Sequence, residues 1–272
     1  MKPSLLEQKC NFLRNLIIES VFNAGSGHPG GSLSAVELMV VLYEKFMKFD
    51  PQVPSWNERD YMVLSKGHAA PLIYGILSMY GYIPKEELST LRKLGSRLQG
   101  HPDATKLPGI EVSTGSPGQG FGVAAGIALG IKTKGQANNV FTLLGDGELQ
   151  EGTVWETAMA ASHYKLSRLC AIVDANGFQI DGKVEDVMNV NPIGDKFKSF
   201  GWKVKEFDGH NLDEVEAAFQ FFMDNKSDKP VLLLAHTIKG KGVSFMQNTH
   251  AWHGKAPSAE EFKSAQDELK LI

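Results

Sequence analysis

Asp146 stands between Gly145 and Gly147, directly behind the apolar run "NVFTLL" at 139–144. Glycines there let the backbone turn sharply and approach a ligand closely. The amides that follow open a helical pattern, a ready site for anions. A carboxylate beside a phosphate repels it unless a cation lies between, so the pattern asks for a divalent metal bridging Asp146 and phosphate oxygens. Thirty residues on, "LCAIVDANGFQIDG" ends its apolar run at Asp174 and turns through Asn176. Asn176 offers a neutral amide oxygen and Phe178 a backbone carbonyl. One carboxylate with neutral oxygens suits magnesium, with calcium or manganese as possible substitutes. The plain alternative is an Asp-Gly turn between strands; the second strand end weighs against it, because one helix and one strand separate the two, as a crossover needs.

Five of the eight histidines lie beside glycine; His210 in "FDGHNL" precedes the Asn211 cap and reads as structural, which leaves His28 in "SGHPGG", His68 in "SKGHAA", His101 in "QGHPDA" and His253 in "AWHGKAP". Neutral imidazoles donate to sugar hydroxyls or phosphate oxygens and move protons near neutrality. No two of them show a short zinc-like spacing, and no cysteine pair accompanies them. Cys10 and Cys170 fall inside helical and strand-like patterns and read as buried free thiols. Lys239 and Lys241 in "HTIKGKGVSF" read, by charge alone, as a solvated surface pair.

The elements that must position these residues are legible. "YMVLS" at 61–65, 139–144, 169–174 and "PVLLLA" at 230–235 are short apolar strand candidates, with "GWKVKEF" a more polar, peripheral one. Helical patterns at 151–164 and 211–224 separate them, the second opening on an Asn211–Glu214 box. Continuous apolar strands alternating with helices predict a doubly wound, mostly parallel α/β sheet with helices on both faces. In such sheets ligands bind at the carboxyl ends of the strands, where the unusual residues fall. Residues 5–24 carry a helical stripe, Ser34 with Glu37 reads as a capping box, and Ser258 with Glu261 as another at the start of a last helix. Pro71 requires that the helix after "YMVLS" begin within a turn of it. In "STGSPGQGFGVAAGIALG", at 113–130, Gly122, Ala125 and Gly126 leave room for close helix packing.

Gly145-Asp146-Gly147 followed at thirty residues by Asn176 resembles the thiamine diphosphate signature, and "GDGELQEGTVWE" with "DANGFQIDG" is similar to transketolases in particular. Many such enzymes end the motif in two asparagines; here Ala175-Asn176 matches only the second. The resemblance spans about residues 10–257 and includes all four histidine loops. It implies that His28, His101 and His253 line a substrate channel and act in catalysis, with His253 also touching the cofactor. It implies further that His68, Gly115, Ser116, Gly147, Glu151, Asn176 and Lys239 face thiamine diphosphate, and that Asp146, Asn176 and Phe178 hold the magnesium. The implied reaction transfers a two-carbon ketol unit from a ketose, phosphorylated or otherwise substituted, to an aldose.

Single-chain transketolases are more than twice as long as these 272 residues. The resemblance therefore implies one diphosphate-binding domain over 1–272, with the pyrimidine-binding and C-terminal domains on a partner chain in a two-plus-two heterotetramer. The formal net charge of −3, with both signs interspersed, asks for no nucleic acid and no anionic membrane. The amino terminus lacks the features of a signal peptide, so the expected location is the cytoplasm. Other readings are the alpha subunit of a pyruvate dehydrogenase-type enzyme, a fragment of a 1-deoxyxylulose 5-phosphate synthase, and a non-catalytic cofactor-binding paralogue. The first explains the Asp146–Asn176 pair but not the histidine loops.

Overall fold

The computed structural model describes residues 3–270. Five parallel strands form the sheet: β1 (Tyr61–Leu64), β2 (Val140–Gly145), β3 (Leu169–Ala175), β4 (Lys203–Asp208) and β5 (Val231–His236). Their spatial order is β1-β2-β3-β5-β4. The central strands are buried on both faces, which is why they read as unbroken apolar runs. β4 sits at an edge with Lys205 and Glu206 exposed, as its polar sequence predicts.

One face is covered by α1 (Leu5–Ala24), α2 (Pro29–Leu33), α3 (Val36–Val41) and α4 (Ala70–Met79). The other carries α5 (Gln119–Thr133), α6 (Gly152–His163) and, beyond the short α7 (Val184–Val187), α8 (Ile193–Ser199). α9 (Leu212–Met223) and α10 (Ala259–Lys270) complete the first face. Leu13, Ile17 and Val21 of the predicted α1 stripe are fully buried, whereas Leu5 and Phe12, also read as part of it, are exposed. Pro71 falls in the first turn of α4. Asn211 caps α9 by accepting from the amides of Asp213 and Glu214. Ser258 and Glu261 form the reciprocal box before α10; Leu271 and Ile272 of that predicted stretch lie outside the described residues.

The Ser34–Glu37 box does not form. Ala35 occupies the cap position of α3, without a side-chain hydrogen bond. The Ser34 hydroxyl donates to the Asp174 carboxylate at 2.6 Å, and Glu37 pairs with Arg14 at 2.5 Å. Buried charged partners outcompete a local amide for both side chains. Nor does the helix after "TGSPGQG" use all its small residues for packing within the chain. A Cβ on Gly126 would meet nothing within 4 Å, whereas one on Gly120 would lie 2.6 Å from the Ser65 Cα. Gly120 is thus where α5 closes on the end of β1.

Candidate functional site

β2 and β3 are neighbours in register, with Gly145 opposite Asp174, so Asp146 and the Asn176 turn emerge side by side at the carboxyl edge. Asp146 is 4 % exposed. Its two oxygens accept from the amides of Gly147 at 2.9 Å and Gly177 at 2.6 Å. No Lys, Arg or His forms an ion pair with it among the described residues. Burial, with Asp174 nearby, pushes its carboxyl up to about 7. Asp174 has the opposite fate. Burial alone would raise it, but Lys66 at 2.5 Å and the hydroxyls of Ser34 and Thr237 outweigh that and hold it below the usual carboxylate range.

Asn176 donates to Asp174 at 3.0 Å, and its oxygen accepts from the Phe178 amide at 3.1 Å. The Phe178 carbonyl faces the Lys239 ammonium at 3.4 Å. Lys239 is 1 % exposed, which corrects its reading as a solvated surface charge. Burial, aided by Lys66, lowers it to about 8. Its Nζ also lies 3.1 Å from His253 Nδ1. Lys241, by contrast, is only half-buried.

These groups line a cavity of about 180 Å³ that also reaches His68, Gly115 and Glu151. His28 gathers the imidazoles: its ring centroid is 5.3 Å from His253, 5.5 Å from His68 and 6.2 Å from His101. All four histidine loops therefore converge, although only His68 and His253 line the cavity itself; His28 packs against both, and His101 is exposed beyond it. Ser116 is exposed and does not line the cavity; Pro117 does. Burial lowers His28 to about 4 and His253 to about 3, with Arg92 and Lys239 respectively adding to the effect. Because Arg and Lys only donate, the contacts at 3.4 Å and 3.1 Å make Nδ1 of His28 and His253 acceptors. In their neutral form both rings carry the proton on Nε2, where it can be donated.

Three residues at the site escape reading from the sequence. Lys66 follows β1 inside "SKGHAA" and neutralises Asp174; its only signal is a lysine directly behind the apolar run at 61–65. Glu148, buried, accepts from Ser65 at 2.5 Å and from the amides of Gly118 at 2.8 Å and Gly145 at 3.1 Å, tying three loops together. Arg92, with φ +59°, brings a guanidinium to the mouth beside His28.

A sequence profile described as "Transketolase, thiamine diphosphate binding domain" matches residues 6–271. The chain belongs to the transketolase family. It is 42 % identical over 97 % of its length to the 6-deoxy-6-sulfo-D-fructose transketolase subunit SqwG of Clostridium sp., covering 96 % of that protein. It is 39 % identical over 99 % of its length to an apulose-4-phosphate transketolase subunit from Phocaeicola vulgatus, covering 95 % of it. Among solved structures, a Pichia stipitis transketolase complex with sedoheptulose-7-phosphate superposes with a TM-score of 0.94 at 33 % identity, over 98 % of this chain and 41 % of that one. The Campylobacter jejuni transketolase gives 0.93 at 34 %, over 99 % and 43 %. The chain thus spans about two fifths of these solved transketolases and nearly all of the two subunits.

Proposed function

We propose that this chain is the thiamine diphosphate- and magnesium-binding subunit of a split transketolase, active with a second polypeptide. The observation that carries this reading is Asp146: a buried carboxylate, held by two amides, with no cationic side chain in ion-pair contact. A divalent ion supplies the missing charge, and Asp146, the Asn176 oxygen and the Phe178 carbonyl are the oxygen donors that would hold it. Lys239 would face the anionic end of the cofactor, with His68, Gly115, Gly147 and Glu151 lining the same cavity.

Thiamine diphosphate, when bound, supplies the nucleophilic carbon that accepts the two-carbon unit of a ketose and passes it to an aldose. The chain's own contribution is positional and electrostatic. His28 and His253 present Nε2–H groups to substrate oxygens, and the exposed His101 adds a third donor at the mouth. The sugars named for the two relatives carry a sulfonate or a phosphate, and we assign this chain the same class of anionic sugar. Arg92 at the mouth provides a cation suited to it.

A partner is called for by size. A cavity of about 180 Å³ falls short of the roughly 300–1,000 Å³ of sites that enclose a cofactor. We therefore place the pyrimidine-binding wall and the remaining catalytic groups on a C-terminal subunit, with residues 1–272 forming one domain and the assembly pairing two of each. The relatives that match along nearly their whole length are themselves named as subunits. Val123 of α5 and Met159 of α6, both well exposed, together with the open Gly126, offer apolar surface for such a contact, and the exposed Ile180 adds another at the cavity. Cytoplasmic residence fits the two buried free thiols and the absence, among the described residues, of a helix long and apolar enough to cross a membrane.

Calorimetric titration of thiamine diphosphate into the chain, purified with whatever accompanies it, tests the site. Uptake that requires magnesium and is lost in D146N supports the reading. Uptake indifferent to both would sink it.

A further inference from the structure

Away from that cavity, three charged or titratable side chains from three elements meet at the wall of a second, open cavity of about 610 Å³. Arg14 of α1, Glu37 of α3 and His210, just before α9, each have side chains at most 8 % exposed. Arg14 Nη2 lies 2.5 Å from one Glu37 oxygen, and His210 Nδ1 lies 3.1 Å from the other. Three such groups brought together out of water are costly unless the arrangement serves something.

What they hold is the turn after β5. The amide of Ile238 donates to His210 Nε2 at 2.8 Å, and Arg14 Nε donates to the Lys241 carbonyl at 3.0 Å. Between these anchors the Gly240 amide donates to the Gly30 carbonyl at 3.0 Å. Gly240 has φ +77°, and a Cβ there would lie 2.2 Å from the Met246 carbonyl oxygen, so only glycine fits where the turn passes the 246 backbone. The one side chain this turn sends into the first cavity is Lys239. Because His210 Nε2 accepts from an amide, the ring's proton sits on Nδ1 and is donated to Glu37, whose other oxygen is taken by Arg14. Glu37 thus accepts from both neighbours, and the network ends at the backbone on either side of Lys239, where His210 accepts from Ile238 and Arg14 donates to Lys241.

We propose that Arg14, Glu37 and His210 are positioning residues for Lys239: they clamp the backbone on both sides of it and so set how tightly the cavity holds an anionic ligand that they never touch. This rests on the reading above, in which Lys239 meets the diphosphate of the cofactor. The backbone of a charged donor that must meet a ligand at a fixed point is worth fixing, and losing such support typically costs about 10–100-fold in affinity at comparable sites.

The test is the dissociation constant of thiamine diphosphate, with saturating magnesium, for the full chain purified with its companion. K239M should weaken binding, and H210N, which keeps a donor for Glu37 but loses the acceptor for Ile238, should weaken it by about 10-fold or more. H210Q, whose amide oxygen reaches towards the place of Nε2, should restore most of that loss. The deciding measurement is the double variant: H210N added to K239M should cost no further affinity. An equal loss in both backgrounds would make His210 a general scaffold residue and overturn the inference. If H210N fails to fold, E37Q, which weakens the hold on both His210 and Arg14, carries the same comparison. A K239M protein that binds as wild type does would instead overturn the placement of Lys239 at the diphosphate.

Discussion

The Lys66 ammonium lies 2.5 Å from the Asp174 carboxylate, and both side chains are essentially out of solvent. Two carboxylates end adjacent strands here, and the lysine neutralises only one of them. Asp146, the other, is left with amides alone. On the function proposed above, that asymmetry separates a structural ion pair from a site for an external cation.

The two acids should therefore respond differently to substitution. K66M strands the Asp174 charge in the core and should cost about 3–5 kcal/mol in a urea unfolding experiment. D146N removes a charge that has no partner but also one amide acceptor. These effects oppose, and the metal-free chain should change by no more than about 1 kcal/mol. The same substitution should weaken magnesium-dependent cofactor uptake by about 100-fold or more. A large stability loss in D146N, or none in K66M, would mean that the roles are reversed.

The imidazoles give a pH signature. Burial holds His28 at about 4 and His253 at about 3, below the usual 6.5 of the unfolded chain. The unfolded state then binds more protons between these values, so stability falls as pH drops from about 6.5 towards 4 and is unaffected by these groups above 6.5. Proton-detected titration should find both rings neutral at pH 6, and H28N should flatten the acid limb of the unfolding midpoint. A ring of either residue that protonates near pH 6.5 would contradict the packing described.

G120A tests the junction of α5 with β1. A Cβ there would sit 2.6 Å from the Ser65 Cα, backbone that cannot swing aside. Ser65 also bonds the Phe121 amide at 2.9 Å and Glu148 at 2.5 Å, so displacement would disturb the loop that lines the cavity. Destabilisation of about 1–3 kcal/mol is expected in thermal unfolding. G126A, in open space on the same helix, should be neutral or slightly stabilising.

Much of this architecture is legible in the sequence because it is local. Strand runs, the Asn211 and Ser258 caps and the glycine-flanked Asp146 are patterns of consecutive residues. The register that sets Asp146 beside the Asn176 turn also follows, since one helix separates the two strands. What escapes depends on partners distant in the chain. Ser34 and Glu37 have the spacing of a capping box, yet Asp174 lies 140 residues from the first and Arg14 binds the second from another helix. Lys239 resembles a surface charge because nothing within ten residues shows the carbonyl and imidazole that receive it. The closeness of His28 to His101 and Arg92 likewise arises only where the 91–101 loop folds back over α2.

On the function proposed above, this chain is half of an active site. The most direct measurement is the native mass of the tagged protein, purified gently from its own cells with thiamine diphosphate and magnesium, followed by a ketol-transfer assay on whatever is recovered. Two copies of this chain with two of a longer companion are expected, with activity in that complex that neither component shows alone. A species made of this chain only, binding cofactor but giving no transfer with any fraction added back, would contradict it.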